Sequence, residues 1–82
     1  MFYIYIILSE LDRSFYIGFT ENIETRVYEH NFGTTGYSKS KRPWKLIYSE
    51  EFGTRTEAIK RERYLKKLKS RRYIEKLIAK GP

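Results

Sequence analysis

The chain has 82 residues, no cysteine, one histidine and a net charge of +7. This length allows one domain, residues 1–82, whose small core draws much of its buried area from aromatic side chains. The lack of cysteine excludes disulfides and thiolate metal sites, and a single histidine excludes a histidine-rich zinc site. No apolar run approaches the ~20 residues of a membrane span and no signal peptide is visible, so we expect a soluble, cytoplasmic protein.

The charge is unevenly distributed along the chain. Residues 1–38 carry two basic and five acidic side chains, whereas residues 39–82 carry fifteen basic and five acidic ones. A basic half of this kind is typical of a protein that binds a polyanion, most often nucleic acid. A solvated lysine-rich surface would have the same composition, so charge alone leaves both interpretations open.

The first nineteen residues predict an antiparallel hairpin. Residues 2–8 and 15–19 are rich in aromatic and β-branched side chains, and a polar stretch separates them. A loop over residues 9–12 would place Tyr5 opposite Tyr16, and a register shifted by two would place Tyr5 opposite Gly18. Both registers put the two phenols on one face, either as a core aromatic pair or as part of a site.

The next segment predicts a helix over residues 21–31 with Thr20 as its N-cap. Its inward stripe mixes apolar with polar side chains, at Ile23, Arg26, Val27 and His30. Either polar residue alone would be explained by a structural role. Because both fall on the buried stripe, a polar pocket is an equally good interpretation.

The remaining elements follow from turn and capping signals. Residues 33–43 have loop composition, and residues 44–50 alternate as a half-buried strand with Trp44 as a core side chain. A capping box begins a helix over residues 55–68, and Ser70 caps a last helix over residues 71–80. The predicted fold class is therefore α+β, in the order β-β-α-β-α-α.

Glu62 lies on the inward stripe of the helix 55–68, between Ala58 and Leu65. A buried carboxylate is costly unless it is paired or binds a metal. An ion pair with Arg26 or a nearby lysine would satisfy it. A carboxylate with water and substrate oxygens would also suffice to hold Mg²⁺.

These residues resemble the GIY-YIG nucleases, which include homing endonucleases, some restriction enzymes and the nuclease domain of bacterial excision repair. The two name-giving motifs correspond to residues 3–5 (Tyr-Ile-Tyr) and 16–18 (Tyr-Ile-Gly), although Tyr3 replaces the first glycine. The family's arginine, histidine and glutamate correspond to Arg26, His30 and Glu62. No asparagine near residues 70–73 matches the one that many members carry there. The likeness extends to about residue 69 and is greatest for the small single-domain bacterial branch.

The resemblance implies a three-stranded antiparallel sheet flanked by helices, and hydrolysis of DNA phosphodiesters. It implies one Mg²⁺ or Mn²⁺ ion on Glu62. Tyr5 would be the general base, Tyr16 would orient substrate or water, and Arg26 would steady the phosphate. His30 would support Tyr5, and Gly18 would be structural. The candidate phosphate contacts are Lys39, Lys41, Arg42 and Lys66, the first three in a segment that an ordinary mobile loop would also explain.

Two alternatives belong to other functional classes. A nucleic-acid-binding module of the same fold with little turnover would explain why no targeting domain accompanies these residues. A scaffold for a protein partner would be favoured by an apolar residue at position 26 or 62, and neither is present. The form of the substrate (duplex, branched, nicked or single-stranded DNA, or RNA), the oligomeric state and the pathway are left open by the sequence.

Overall fold

The computed structural model describes residues 1–33 and 37–81. Its elements follow the predicted order β-β-α-β-α-α, which confirms the α+β fold class. Within this part of the chain, no helix is long and apolar enough to cross a membrane. The strands are β1 (Phe2–Ser9), β2 (Phe15–Thr20) and β3 (Trp44–Phe52), the helices are α1 (Ile23–Phe32), α2 (Arg55–Leu68) and α3 (Arg71–Lys80), and a short 3₁₀ helix spans Tyr37–Lys41.

Strand β1 is the centre of the sheet, whose strand order is β2-β1-β3. Both faces of β1 are covered, which explains its unbroken apolar sequence. In the hairpin, Leu8 pairs with Phe15 and Tyr5 pairs with Gly18, so the second of the two predicted registers is correct. The first register is wrong because the turn is longer than residues 9–12. It closes with a hydrogen bond of 2.9 Å from the Ser9 amide to the Ser14 carbonyl.

Helix α1 begins later than predicted. The N-cap is Asn22, whose side-chain oxygen accepts a hydrogen bond from the Thr25 amide. Thr20 is the last residue of β2, is buried, and uses its hydroxyl to bond both the amide and the carbonyl of Asn22. It therefore shapes the link between strand and helix instead of capping α1.

An irregularity in β3 assigns Trp44 to a different face of the sheet from Tyr48. Strict alternation would place these two side chains on one face. The pairing with β1 shifts between Ile6 and Ile7, so that Ile6 pairs with Tyr48 but Ile7 pairs with Leu46. The extra residue is a β-bulge, which re-aims the side chains that precede it.

The sheet therefore has two buried clusters. One face carries the larger apolar core, and α2 and α3 contribute to it. The opposite face carries Tyr5, Ile7 and Trp44, with Tyr16 and Val27 packed against them. The residues of the larger core are Ile4, Ile6, Tyr48, Ala58, Leu65 and Ile74.

The ends of α2 and α3 agree with the capping predictions. The Thr54 hydroxyl accepts from the Glu57 amide at 3.2 Å, and the Ser70 hydroxyl accepts from the Tyr73 amide at 3.1 Å. Strand β3 extends two residues beyond the predicted end. The predicted loop over residues 33–43 contains the 3₁₀ helix, and its residues 34–36 lie outside the described part of the chain.

Candidate active site

A buried tyrosine–histidine pair forms the centre of the smaller cluster. The hydroxyl of Tyr5 and Nε2 of His30 are 2.9 Å apart, and the two residues are 2% and 9% exposed. Burial lowers the pKa of His30, with Arg26 acting in the same direction, so the imidazole is neutral at neutral pH. A neutral imidazole protonated at Nδ1 accepts a hydrogen bond from the phenol at Nε2. The other tautomer, protonated at Nε2, donates a hydrogen bond to the phenol oxygen.

The Tyr5 phenol has a strongly raised pKa. Burial is the main cause, and the nearby Tyr16 phenol acts in the same direction. The charges of Arg26 and Glu62 also reach this hydroxyl, the first lowering its pKa and the second raising it. Tyr5 is therefore protonated at neutral pH. Its pKa is affected by both charged residues that the sequence assigns to the site, Arg26 and Glu62.

Gly18 leaves the space that the Tyr5 ring occupies. A Cβ atom at position 18 would lie 2.3 Å from the Tyr5 hydroxyl oxygen and 2.4 Å from Cζ of the same ring. No side chain fits at such distances without moving the ring. The close approach of the Tyr5 phenol is therefore a physical reason for a glycine at position 18.

Tyr16 packs beside the buried pair. Its ring centroid is 4.8 Å from that of His30, 6.4 Å from that of Tyr5 and 6.2 Å from that of Trp44. Tyr16 is half-buried, in contrast to Tyr5. Two phenols with different solvent access therefore share one aromatic cluster.

Arg26 lies at the rim of this cluster and not in its interior. Its side chain is 47% exposed and forms an ion pair of 3.5 Å with Glu29, one turn along α1. The prediction that Arg26 is buried is wrong, because it occupies the edge of the inward stripe and its long side chain reaches water, where the charge stays hydrated. His30, at the centre of the stripe, is buried as predicted.

Glu62 approaches the same rim from α2. Its side chain is 19% exposed, and Oε2 lies 3.3 Å from Nζ of Lys66. Of the two ion-pair partners considered from the sequence, the lysine is therefore the one that the structure provides. Lys66 also lies over the ring of Tyr16, with 5.9 Å between Nζ and the ring centroid.

The donor set suits a weakly held divalent ion. Within residues 1–33 and 37–81, no group of three or more His, Cys, Asp or Glu side chains could hold a metal. A magnesium ion keeps several waters and often takes only one or two carboxylates from the protein, completing its shell with substrate phosphate. The half-buried carboxylate of Glu62 fits that use, whereas a fully caged ion does not fit these residues.

The candidate phosphate contacts differ in their surroundings. Lys39 is exposed, and Lys41 forms an ion pair with Asp12. The guanidinium of Arg42 donates to the carbonyls of His30 and Gly33, so it fastens the C-terminal end of α1. Lys66 lies beside the aromatic cluster, over the ring of Tyr16.

Two residues that position the site were not assigned to it from the sequence. Trp44 is 4% exposed, with its ring centroid 6.2 Å from that of His30. Asn31 binds the backbone of Trp44 twice, as a donor at 3.0 Å and as an acceptor at 2.6 Å. For Asn31, its place directly after a buried helical histidine is a weak sequence signal of a role at the site. For Trp44 the sequence gives no signal, because the bulge that turns its side chain towards the site is not visible in the sequence.

Comparisons with known proteins identify the family of this chain. A family model described as the GIY-YIG catalytic domain matches residues 1–75. A UPF0213 protein of Staphylococcus saprophyticus is 44% identical over 80 residues, covering 96% of this chain and 95% of that protein. The UPF0213 protein YazA of Bacillus subtilis is 44% identical over 68 residues, covering 78% of this chain and 69% of that protein.

A solved structure is similar as well. The solution NMR structure of a UPF0213 protein from Bacillus halodurans aligns with a TM-score of 0.59 and 32% identity, covering 96% of this chain and 84% of that one. The family match spans both tyrosine motifs and the helices that carry Arg26, His30 and Glu62. This chain therefore belongs to the GIY-YIG catalytic domain family, alongside small proteins of the UPF0213 group.

Proposed function

We propose that this protein is a metal-dependent nuclease that hydrolyses phosphodiester bonds in DNA. The GIY-YIG family is one of endonucleases, and the observation that carries the proposal is the buried Tyr5–His30 pair beside Tyr16. A structural tyrosine could bury its ring without placing a neutral imidazole on its hydroxyl. The charges of Arg26 and Glu62 at the rim supply what a phosphate and a cation would contact.

The burial of the two phenols favours a division of roles different from the one expected from the sequence. Tyr5 is 2% exposed and its pKa is raised by burial, so it is poorly placed to take a proton directly from an attacking water. Tyr16 has greater solvent access, so we assign it the contact with the attacking water. Tyr5 then positions Tyr16 through the packing of the two rings. The proton lost by the water leaves through the two phenol hydroxyls, with His30, bonded to the Tyr5 hydroxyl, as its acceptor.

The reaction is an in-line hydrolysis at phosphorus. The water oxygen forms the new P–O bond as the water gives up a proton on the side of Tyr16 and His30. The bond to the leaving sugar oxygen breaks, and that oxygen takes up a proton from solvent. Arg26, which is half-exposed, binds the non-bridging oxygens, whose negative charge grows in the transition state. A divalent ion at Glu62 would supply charge stabilisation for the phosphate and the leaving oxygen.

Glu62→Gln tests the proposal. Purified protein is incubated with labelled duplex, branched and single-stranded DNA and with RNA, in Mg²⁺, Mn²⁺ or EDTA. We expect metal-dependent cleavage that falls by at least about 100-fold in Glu62→Gln, since the amide is a poor ligand for a hard cation. Glu75→Gln is the control, because it removes the same charge from another helical ion pair. Full activity in Glu62→Gln would refute the metal site, and the substrate panel identifies the preferred nucleic acid.

A binding module with little turnover is the second candidate. The observation that favours it is the ion pair between Glu62 and Lys66, because the lysine occupies the carboxylate that a metal ion would need. This candidate predicts no cleavage on any substrate and binding that weakens steeply with salt, since phosphate contacts release counterions. Metal-dependent cleavage would exclude it.

A further inference from the structure

Lys66 contacts two members of the candidate site at once. Its ammonium is 3.3 Å from Glu62 Oε2 and 5.9 Å from the centre of the Tyr16 ring. The lysine side chain is 50% exposed, whereas the Glu62 side chain is only 19% exposed. The flexible partner of this ion pair is therefore the cation, and the carboxylate is the more fixed one.

We propose that Lys66 is a built-in competitor for the divalent cation at Glu62, and that it moves to the substrate phosphate when the ion takes the carboxylate. This inference rests on the proposed function. It concerns how Glu62 is occupied before the divalent ion binds. It also adds Lys66 as a positioning residue that the nuclease proposal does not require.

Electrostatics makes the ammonium and the divalent ion compete for Glu62. An ammonium within 3.3 Å of Oε2 neutralises the charge that a divalent ion needs, and two cations on one carboxylate repel each other. Since Glu62 is the one carboxylate assigned to the ion, no second acidic ligand would offset that repulsion. Binding of the ion is therefore more favourable once Lys66 has left the carboxylate.

The Lys66 ammonium can move away from Glu62 with a small loss of free energy. Its four-carbon side chain is flexible, and its half-exposed ammonium is already hydrated in part. The face of Tyr16 offers a second favourable contact on the way out. From there the ammonium lies beside the phenol assigned to the attacking water, where a phosphate oxygen of the substrate would bind.

The first test measures metal affinity without DNA. Mn²⁺ is titrated calorimetrically into wild-type protein, Lys66→Met and Lys67→Met, with thermal unfolding to verify the fold. We expect Lys66→Met to bind Mn²⁺ about two- to fivefold more tightly, the effect of removing one partly exposed ion pair. Lys67 is exposed, next along the same helix, and carries the same charge. Lys67→Met should therefore match the wild type closely.

The second test measures DNA affinity in EDTA, with Glu62→Gln compared to Glu75→Gln. Both variants remove one negative charge from an i, i+4 ion pair of 3.3 Å. If Lys66 is released towards phosphate, Glu62→Gln tightens DNA binding at least about twofold more than Glu75→Gln does. The double variant Lys66→Met/Glu62→Gln should lose that advantage.

The outcomes separate this inference from the nuclease proposal. Equal or weaker Mn²⁺ binding in Lys66→Met overturns the competition but leaves metal-dependent cleavage intact. An equal gain in Lys67→Met also overturns it, since the effect would then be one of net charge. Absence of Mn²⁺ binding in both wild type and Lys66→Met overturns it as well, and the cleavage assay then judges the nuclease independently.

Discussion

The two faces of the sheet each bury a tyrosine with polar partners, and they satisfy it in different ways. On the face covered by α2 and α3, Tyr48 donates to Glu50, which also accepts two hydrogen bonds from Arg61 at 2.9 and 3.1 Å. On the other face, Tyr5 has the neutral ring of His30 as its partner. The first arrangement is closed and charge-balanced, whereas the second leaves charged groups at its rim.

This difference separates a structural network from a candidate active site. Burial and the Glu50 carboxylate raise the pKa of Tyr48 to about 12, and the carboxylate is in turn matched by Arg61. Tyr5 is equally unable to ionise at neutral pH, but Arg26 and Glu62 act on it from a distance without bonding to it. The ion pairs of Arg26 and Glu62 each include a side chain about half exposed, which a substrate can reach, whereas both members of the Arg61–Glu50 pair are largely covered.

The largest expected effect comes from removing one hydroxyl on each face. Tyr5→Phe deletes the bond to His30 and should lower DNA cleavage by at least about 100-fold, the range for one proton-transfer group. Tyr48→Phe deletes a hydroxyl of similar burial on the other face, so its cleavage rate should stay within about twofold of wild type. Cleavage rates of both variants are measured at saturating DNA.

Thermal unfolding accompanies these assays, because either variant can lose stability. A Tyr5→Phe protein that melts normally yet is inactive supports the assignment of this face to catalysis. Equal losses of activity in the two variants would show that the faces do not differ in function, and the comparison would fail.

A second prediction concerns the packing that holds the Tyr5 ring. Gly18→Ala places a methyl group 2.3 Å from the Tyr5 hydroxyl oxygen, so the ring must move away from His30. We expect a loss of about 1–3 kcal/mol in the free energy of unfolding, as for other overpacked cores. Urea denaturation measures it.

Gly53→Ala is the matched control for this substitution. A Cβ atom there meets nothing within 4 Å, and the expected change is within about 0.5 kcal/mol. If both variants are equally stable, the Tyr5 ring can move to accommodate a methyl group at position 18. Gly18 is then not needed to hold the ring in its position.

The sequence predicted the elements more completely than the site. The caps at Thr54 and Ser70 and the apolar run of β1 are local signals, so α2, α3 and the central strand were predicted closely. The register of the hairpin depends on turn length, which the polar stretch left ambiguous. His30 was predicted to face inward because it lies on the periodic stripe of its helix, and Tyr5 because the unbroken apolar run of β1 indicates a strand covered on both faces.

The sequence could not predict how deeply each side chain is buried or where a strand departs from regular geometry. Tyr5 and Tyr16 look equivalent in the motifs, yet only the sheet geometry makes one buried and the other half-exposed. Trp44 belongs to the site face because of a bulge that alternation does not predict. Arg26 lies at the edge of the inward stripe of α1. At that position, helix geometry alone does not decide whether a side chain is buried or exposed.

The smallest expected effect concerns the closed network. Arg61→Met removes both hydrogen bonds to Glu50, whose side chain is 17% exposed, and we expect a loss of about 1 kcal/mol at pH 7 with cleavage unchanged. Burial raises the pKa of Glu50, but the bonds from Arg61 and Tyr48 outweigh it and leave the pKa lowered. A lowered carboxyl pKa stabilises the fold above the ordinary glutamate value and stops doing so as pH falls through the folded-state value.

The stability difference between wild type and Arg61→Met should therefore shrink when urea denaturation is repeated below the folded-state pKa of Glu50. Arg63→Met serves as the control, since Arg63 is exposed on the same helix and its removal should cost less than about 0.5 kcal/mol at either pH. A difference that persists unchanged in acid would mean that Arg61 stabilises the fold through packing, including its position over the Tyr64 ring, and not through its charge. The contrast between the faces would then rest on the Tyr5–His30 pair alone, because the network on the opposite face would no longer be held by balanced charges.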